Sequence, residues 1–335
     1  MEKKVVWTMS VKYRRFGRSG WEVSEISFGA WQLGGQWGPV DDEESVSTLL
    51  TAYEEGVNFV DTAQMYGSGH SEKIVGRSLH EWGDSNPVYV ATKAQPVKWP
   101  DVGDDDPKFA ALYPDGYLVE QVEGSLRRLD VERIDLFQLH CWAPDGMRNP
   151  DWLETLHRLR DEGKIDRIGV SIRDYRPADG VELAERGLVD SIQVIYNIFE
   201  QQPAATLFPA AAASDTAVIA RVALDSGSLS GAWDADTYAG WEEGSVLHSM
   251  FRDERFAATL ERVDGIKEVT GTYYEKLADA AIRFVLDSPE VSTTILGMST
   301  ARRIAENLSY SDGVGLAPGL RERLAEHEWR RNYYR

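Results

Sequence analysis

Apolar runs of strand length recur along the chain, separated by stretches whose apolar residues fall at helical spacing. The runs are EISFGA (25–30), VNFVDT (57–62), VYVATK (88–93), IDLFQLH (134–140), KIDRIGVS (164–171), SIQVIY (191–196), AVIARV (217–222) and STTILG (292–297). Between them, EESVSTLLTAYEEG gathers its apolar positions on one helical face and ends in glycine, a common helix stop. SEKIVGRSLHEW and LVEQVEGSLRRLD carry the same period, and DWLETLHRLRDEG follows an Asn-Pro start. Ahead of all these, VKYRRFGRSGWEVS places a Gly-Arg-Ser-Gly turn between two short alternating runs, the pattern of a β-hairpin.

Eight strands alternating with helices predict an α/β fold with a parallel sheet, closed as a (β/α)8 TIM barrel. Strand count alone leaves an open doubly wound sheet in play, but no GxGxxG fingerprint follows the first strand. The hairpin would then cap the N-terminal end of the barrel. Two stretches break the rhythm. Residues 95–117 form a loop with several Pro, Gly and Asp residues, and residues 223–268 form a long insertion after the seventh strand, with aromatics and a charged helix. Long loops on the C-terminal face usually shape substrate or cofactor sites. The tail from Leu316 to Arg335 reads as one more helix and an aromatic-basic end. With no internal repeat, low-complexity tract or linker, residues 1–335 read as a single domain.

Composition narrows the class. The chain has 335 residues, 42% of them hydrophobic, and a net charge of −19 from 55 acids and 36 bases, so a nucleic-acid footprint is not expected. One cysteine, Cys141, excludes an internal disulfide and a cysteine metal cluster. Six histidines are scattered without HxH or HxxxH spacing, so no metal site is indicated. The start, MEKKVVWTMSVKYRR, lacks the apolar core of a signal peptide, and no run approaches the length of a membrane span. A cytoplasmic enzyme is the simplest class.

The candidate chemistry lies at strand ends. Asp61 and Tyr66 follow VNFV, Lys93 ends VYVATK, and His140 ends IDLFQLH. Strand C-termini of a parallel barrel share one face, so these side chains should converge. An aspartate, a tyrosine, a lysine and a histidine in one pocket suggest proton transfer coupled to hydride transfer. Taken singly, each has an ordinary reading: a loop acid, a half-buried phenol, a surface ion pair and a core histidine.

Taken in order, the motifs resemble the aldo-keto reductase superfamily over almost the whole chain. GVNFVDTAQMYGSGHSEKIVGRSL is similar to its Gly-x-x-x-Asp-Thr-Ala-x-x-Tyr-Gly signature. ATK, DLFQLH, IGVS, IQVIYN and ILGMSTARRIAENL follow in family order. The resemblance implies a barrel that carries NAD(P)(H) in extended form without a Rossmann fold. It implies catalysis by Asp61, Tyr66, Lys93 and His140. Tyr66 would donate the proton. A free tyrosine titrates near 10, too high for efficient acid-base work at neutral pH, and a neighbouring ammonium lowers that value. Lys93 would supply the ammonium, Asp61 would hold it charged, and His140 would orient the carbonyl.

The resemblance also implies the cofactor contacts. Gly29, Ala30 and Trp31 follow the first barrel strand, where the family approaches nicotinamide and substrate. Asp61 stands near the same end, and Ser171 and Gln193 match residues that bind the carboxamide. Gln offers both a donor and an acceptor there. The usual Ser-Asn pair is changed, because Ile172 follows Ser171. Where the family often stacks a Tyr on the nicotinamide, this chain has Arg221, whose planar guanidinium can also stack. At the adenine end, Gly297, Ser299 and Thr300 precede a helix starting near Ala301, with Thr300 as a possible cap. Arg303, Glu306 and Asn307 align with residues that hold the 2′-phosphate and adenine. A bidentate arginine favours NADPH over NADH. The GSGHSE stretch fits a substrate-side loop better than a phosphate cradle.

Trp31, Tyr66, His140, Trp142 and aromatics of the 225–268 loop are expected at the substrate mouth, with Cys141 pointing away by strand alternation. The resulting expectation is an NADPH-dependent reductase of a small aldehyde, ketone or sugar carbonyl. Two other readings stand beside it: an NAD(P)+-dependent sugar or polyol dehydrogenase, and a cofactor-binding regulatory subunit like the potassium-channel beta subunits. Neither a nucleic-acid nor a membrane partner is expected, and oligomeric state is open.

Overall fold

The structure, a computed structural model, describes residues 11–35, 38, 40–83, 86–101 and 103–333. The reading of the chain's start rests mostly on residues outside this set. Strands β1 (Tyr13–Phe16) and β2 (Trp21–Ser24) pair as an antiparallel hairpin. The barrel strands are β3 (Ile26–Gly29), β4 (Phe59–Asp61), β5 (Tyr89–Ala94), β6 (Ile134–Leu139), β7 (Ile165–Ser171), β8 (Ser191–Ile195), β9 (Ala217–Arg221) and β10 (Val291–Gly297). They close in the order β10-β3-β4-β5-β6-β7-β8-β9, every neighbour parallel. All eight predicted strands are present, and the sheet is a closed TIM barrel rather than an open one.

The helices between strands form for local reasons. Asp41 caps the Asp42–Glu54 helix by accepting the Glu44 N–H at 2.9 Å, and three acids in the first turn complement its dipole. Its Val46, Leu49, Ala52 and Tyr53 are buried. The Tyr117–Leu129 helix stops at Asp130, which adopts a left-handed conformation with φ 54°. The 95–117 loop holds a single helical turn at Phe109–Leu112 that the apolar pattern did not signal. The insertion after β9 runs through short turns into helices Val246–Met250 and Arg255–Thr270.

The hairpin closes the N-terminal end of the barrel. Phe16 and Val23 are fully buried against Phe59, Ala91, Leu136, Ala217 and Ile219, inward-facing residues in the lower part of β4, β5, β6 and β9. Gly17, at φ +48°, lets the turn press on the start of β9: a Cβ there would lie 2.6 Å from the Asp215 carbonyl. Moving up the same strands by two residues replaces these apolar side chains with Asp61, Lys93 and Gln138. Because strand side chains alternate, positions two apart face the same interior. The chemistry is therefore stacked on the plug.

Candidate active site

Register brings the polar layer together. Asp61 lies beside Gly29 on one side and Ala91 on the other, Lys93 beside Gln138, and Ser171 beside Gln193. Lys93 and Asp61 are 0% and 1% exposed. The ammonium donates to Asp61 Oδ1 at 2.5 Å and to the Thr62 carbonyl at 2.9 Å, and its third neighbour is the Tyr66 hydroxyl at 3.5 Å. The other Asp61 oxygen accepts from Gln193 Nε2 at 2.7 Å and from Gln138 Nε2 at 3.4 Å. Burying two charges costs several kcal/mol per ion unless each finds partners, and this arrangement supplies them.

Tyr66 reaches the ion pair from the turn after β4. That turn carries Gly67 at φ +60°, where a Cβ would lie 2.4 Å from the Gly34 carbonyl, so the Tyr66 loop packs directly on the loop after β3. The GSGHSE stretch thus has a steric task beside Trp31, whose ring stacks on Tyr66 at 6.0 Å. Burial is the largest influence on the Tyr66 phenol and raises it above its ordinary value, while the Lys93 charge pulls it down and Asp61 pushes it up. The expectation that Lys93 would leave this phenol lowered is corrected: the ammonium acts in that direction, but loss of water outweighs it. Burial also opposes the charge on Lys93, yet Asp61 and Tyr66 outweigh it and raise its pKa, so the ammonium stays charged. His140 sits edge-on to Tyr66 at 5.9 Å. Burial, then the Lys93 and Arg221 charges, hold its pKa well below the ordinary histidine value, so the ring is neutral. Its Nδ1 has no hydrogen-bond partner among the described residues.

These residues stand at one end of a cavity of about 1400 Å³. Gly29, Ala30, Trp31, Asp61, Tyr66, His140, Gln193, Arg221 and Gly297, the β10 neighbour of Gly29, line that end; Ser299, Arg303, Glu306 and Asn307, further along the chain, line the cavity beyond it. Arg221, at the end of β9, is fixed by Asp174 at 2.7 Å and the Ile172 carbonyl at 3.2 Å. Ser171 is buried next to Gln193 but is not part of the lining. The Ala301–Ser309 helix starts at the far end, capped by Thr300, whose hydroxyl accepts the Arg303 N–H at 3.2 Å. Glu306 is paired with Lys276 at 2.7 Å and also feels the Arg302 charge, whereas Arg303 has no ion-pair partner among the described residues. A cavity of this volume, with amide and guanidinium groups near the tyrosine and the Arg303 guanidinium without an ion-pair partner among the described residues at a capped helix start, fits a dinucleotide.

Two expectations at the mouth are corrected. Trp142 does not line the cavity; it is 0% exposed and packs edge-on against Phe109 and Trp152. Cys141 lines it instead. Strand alternation assigned them the other way, but β6 ends at Leu139, and beyond that point the chain bends. The tryptophan that does flank the histidine is Trp99, edge-on to His140 at 5.5 Å and 45% exposed, in the irregular 95–117 loop. Gln138 was also missed. Its signal was a polar residue on the face of β6 that carries Leu136 one step below.

A tyrosine held beside a buried Lys–Asp pair at the C-terminal mouth of a closed barrel, with a cavity of about 1400 Å³ above it, suits an oxidoreductase. The aldo/keto reductase family model matches residues 25–314, and the chain belongs to that family. Its members, this chain included, are NAD(P)(H)-dependent oxidoreductases acting on CH–OH and carbonyl groups of small molecules. The chain is 30% identical to aldo-keto reductase YhdN of Bacillus subtilis (strain 168), over 86% of this chain and 85% of that one. It is 28% identical to a probable voltage-gated potassium channel subunit beta of Oryza sativa subsp. japonica, over 91% and 93%. Among solved structures, the glycerol dehydrogenase AKR11B4 from Gluconobacter oxydans superposes with a TM-score of 0.73 at 27% identity, covering 96% of this chain and 95% of that one. Among the described residues, no helix is long and apolar enough to cross a membrane.

Proposed function

We propose that the protein is an NADPH-dependent carbonyl reductase of small aldehydes or ketones, sugars among them. The observation that carries this reading is the Asp61–Lys93–Tyr66 chain, with its phenol kept protonated at the cavity floor. The nicotinamide, when bound, supplies the hydride. Gln193 and Arg221 would hold its end of the dinucleotide, with Gly29 and Gly297 offering bare backbone beside them. Gln193 Nε2 is already committed to Asp61, which leaves its Oε1 to accept from an amide. Tyr66 delivers its proton to the carbonyl oxygen as negative charge develops there, and the Lys93 ammonium stabilises the phenolate that remains. His140, neutral, orients the carbonyl by hydrogen bonding rather than by donating charge.

NADPH is preferred because Arg303 is unpaired at the helix start, while Glu306 is neutralised by Lys276. A second reading, polyol oxidation, is favoured by the likeness to a glycerol dehydrogenase. Tyr66 would then act as base and need its phenolate, which its raised pKa disfavours at neutral pH. A cofactor-binding regulatory subunit stands third, because the complete proton-transfer chain supports turnover. The test is parallel NADPH and NADH oxidation with aryl aldehydes, short aldehydes and sugar-derived carbonyls. NADPH consumption well above NADH supports the reading; nucleotide binding without turnover in either direction overturns it.

A further inference from the structure

The segment just after β9 carries an unusual concentration of unfavourable backbone. Val222, Asp225 and Ser226 all have positive φ, at 60°, 47° and 56°. Left-handed backbone is a genuine outlier for a β-branched residue, and such conformations persist only where their surroundings over-determine them. Part of the restraint is local. The Val222 carbonyl accepts from Asn197 Nδ2 at 2.8 Å, and Ser228 Oγ donates to Asp225 Oδ2 at 2.5 Å. The segment forms one wall of the cavity through Val222, Leu224, Ser226, Gly227 and Trp233. Asp225 does not line the cavity; it is buried and ion-paired with Arg331, 106 positions away near the end of the chain.

Arg331 is itself held. Its side chain is 8% exposed, and its guanidinium lies 4.3 Å from the Trp329 ring centroid, 4.7 Å from Phe199 and 5.0 Å from Tyr333. The tail is pinned on both sides of it. The Trp329 N–H donates to the Phe199 carbonyl at 2.9 Å, and Arg330 donates to the Tyr175 carbonyl at 3.0 Å. Tyr333 packs edge-on against Phe251 of the insertion at 5.7 Å. A planar cation between aromatic faces can reach a buried carboxylate with little freedom left to lose.

We propose that Arg331 is a positioning residue for the dinucleotide: through Asp225 it holds the 222–233 segment in its strained, cavity-walling conformation, and so sets how long a nicotinamide dinucleotide stays bound. This rests on the reading of the cavity given above. Without the pair, Asp225 is a buried unpaired carboxylate and the segment relaxes toward ordinary backbone, away from the wall. The effect falls on nucleotide residence and not on the proton-transfer groups, because Trp329, Arg330, Arg331 and Tyr333 contact Phe199, Tyr175, Asp225 and Phe251.

The test uses the full chain with Arg331→Met, which keeps apolar volume among the rings but removes the pair. Without nucleotide, amide hydrogen exchange at 222–233 is expected to accelerate about tenfold. The NADPH dissociation rate and the KM for NADPH are expected to rise at least about fivefold, with the carbonyl KM and the pH profile of turnover unchanged. Arg331→Lys should recover part of the loss. Unchanged exchange in a folded Arg331→Met protein overturns the proposal, as does faster exchange with unchanged NADPH release. If Arg331→Met does not fold, the nearly isosteric Asp225→Asn decides by the same two readouts. If the unaltered chain binds neither NADPH nor NADH, the reading of the cavity fails and takes this proposal with it. If it binds and the variants behave like it, only the role of Arg331 fails.

Discussion

Two layers of the barrel interior sit on the same strands, two residues apart, and do opposite work. The lower layer, Phe59, Ala91 and Leu136, is apolar and is sealed by Phe16 of the hairpin. The upper layer, Asp61, Lys93 and Gln138, is as deeply buried and entirely polar. The difference teaches that each layer is held by its own physics: apolar packing fills the lower one, whereas in the upper one strand register sets donors and acceptors at the distances that make the buried pair tolerable.

The strongest way to break the upper layer without touching the lower is Tyr66→Phe. It deletes one oxygen and none of the packing. Carbonyl reduction should fall by about 10²–10⁴-fold, with NADPH binding retained. A variant that turns over like the parent removes Tyr66 from the proton-donor role.

Next come paired changes, one in each layer. Lys93→Met leaves the Asp61 carboxylate buried without its cation, which should cost roughly 3–5 kcal/mol of stability and most of the turnover. Phe16→Ala opens a cavity in the plug and should cost about 3–5 kcal/mol as well. Turnover per folded molecule should hardly change in that variant. Urea melts and turnover normalised to folded protein separate the two. Turnover lost in step with stability in Phe16→Ala would mean that the plug positions the chemistry more directly than register suggests.

A smaller effect is expected from pH. The Tyr66 phenol is raised by burial, and the acid that reduction needs is its protonated form. Reduction should therefore hold through neutral pH and decline only on the alkaline side. Alcohol oxidation, which needs the phenolate, should climb with pH over the same range. His140 is held neutral, so no limb near the ordinary histidine value of about 6.5 is expected in either direction. Rates of both reactions across the pH range check the signs, and reduction falling with a midpoint near neutrality would contradict them.

The sequence was most informative where a period governs the side chains. It made the convergence of Asp61, Lys93 and His140 legible, because each follows an apolar run and strand C-termini of a parallel barrel share one face. It did not single out Gln138, the third member of the polar layer, in the same run. It failed one residue past a strand end, where Cys141 and Trp142 exchange places because nothing enforces alternation after Leu139. It was silent on Trp99, since the 95–117 loop has no period to read. It also misjudged the balance at Tyr66: a neighbouring lysine is visible in a motif, but the completeness of burial is a property of the packed loops around Gly34 and Gly67.

The mildest prediction concerns the far end of the cavity, where neither layer reaches. Arg303 is exposed and unpaired at the start of the Ala301–Ser309 helix, so its substitution should not disturb the fold. Arg303→Ala should raise the KM for NADPH about tenfold and leave that for NADH nearly unchanged, because only the former carries a second phosphate for the guanidinium to grip. The contact is solvated, so raising salt should narrow the parent protein's preference for NADPH and do little to the variant. Equal losses for both nucleotides would place Arg303 on a group they share. The preference for NADPH would then need another cation, and Arg302, on the same turn and lining the same cavity, is the one to change next.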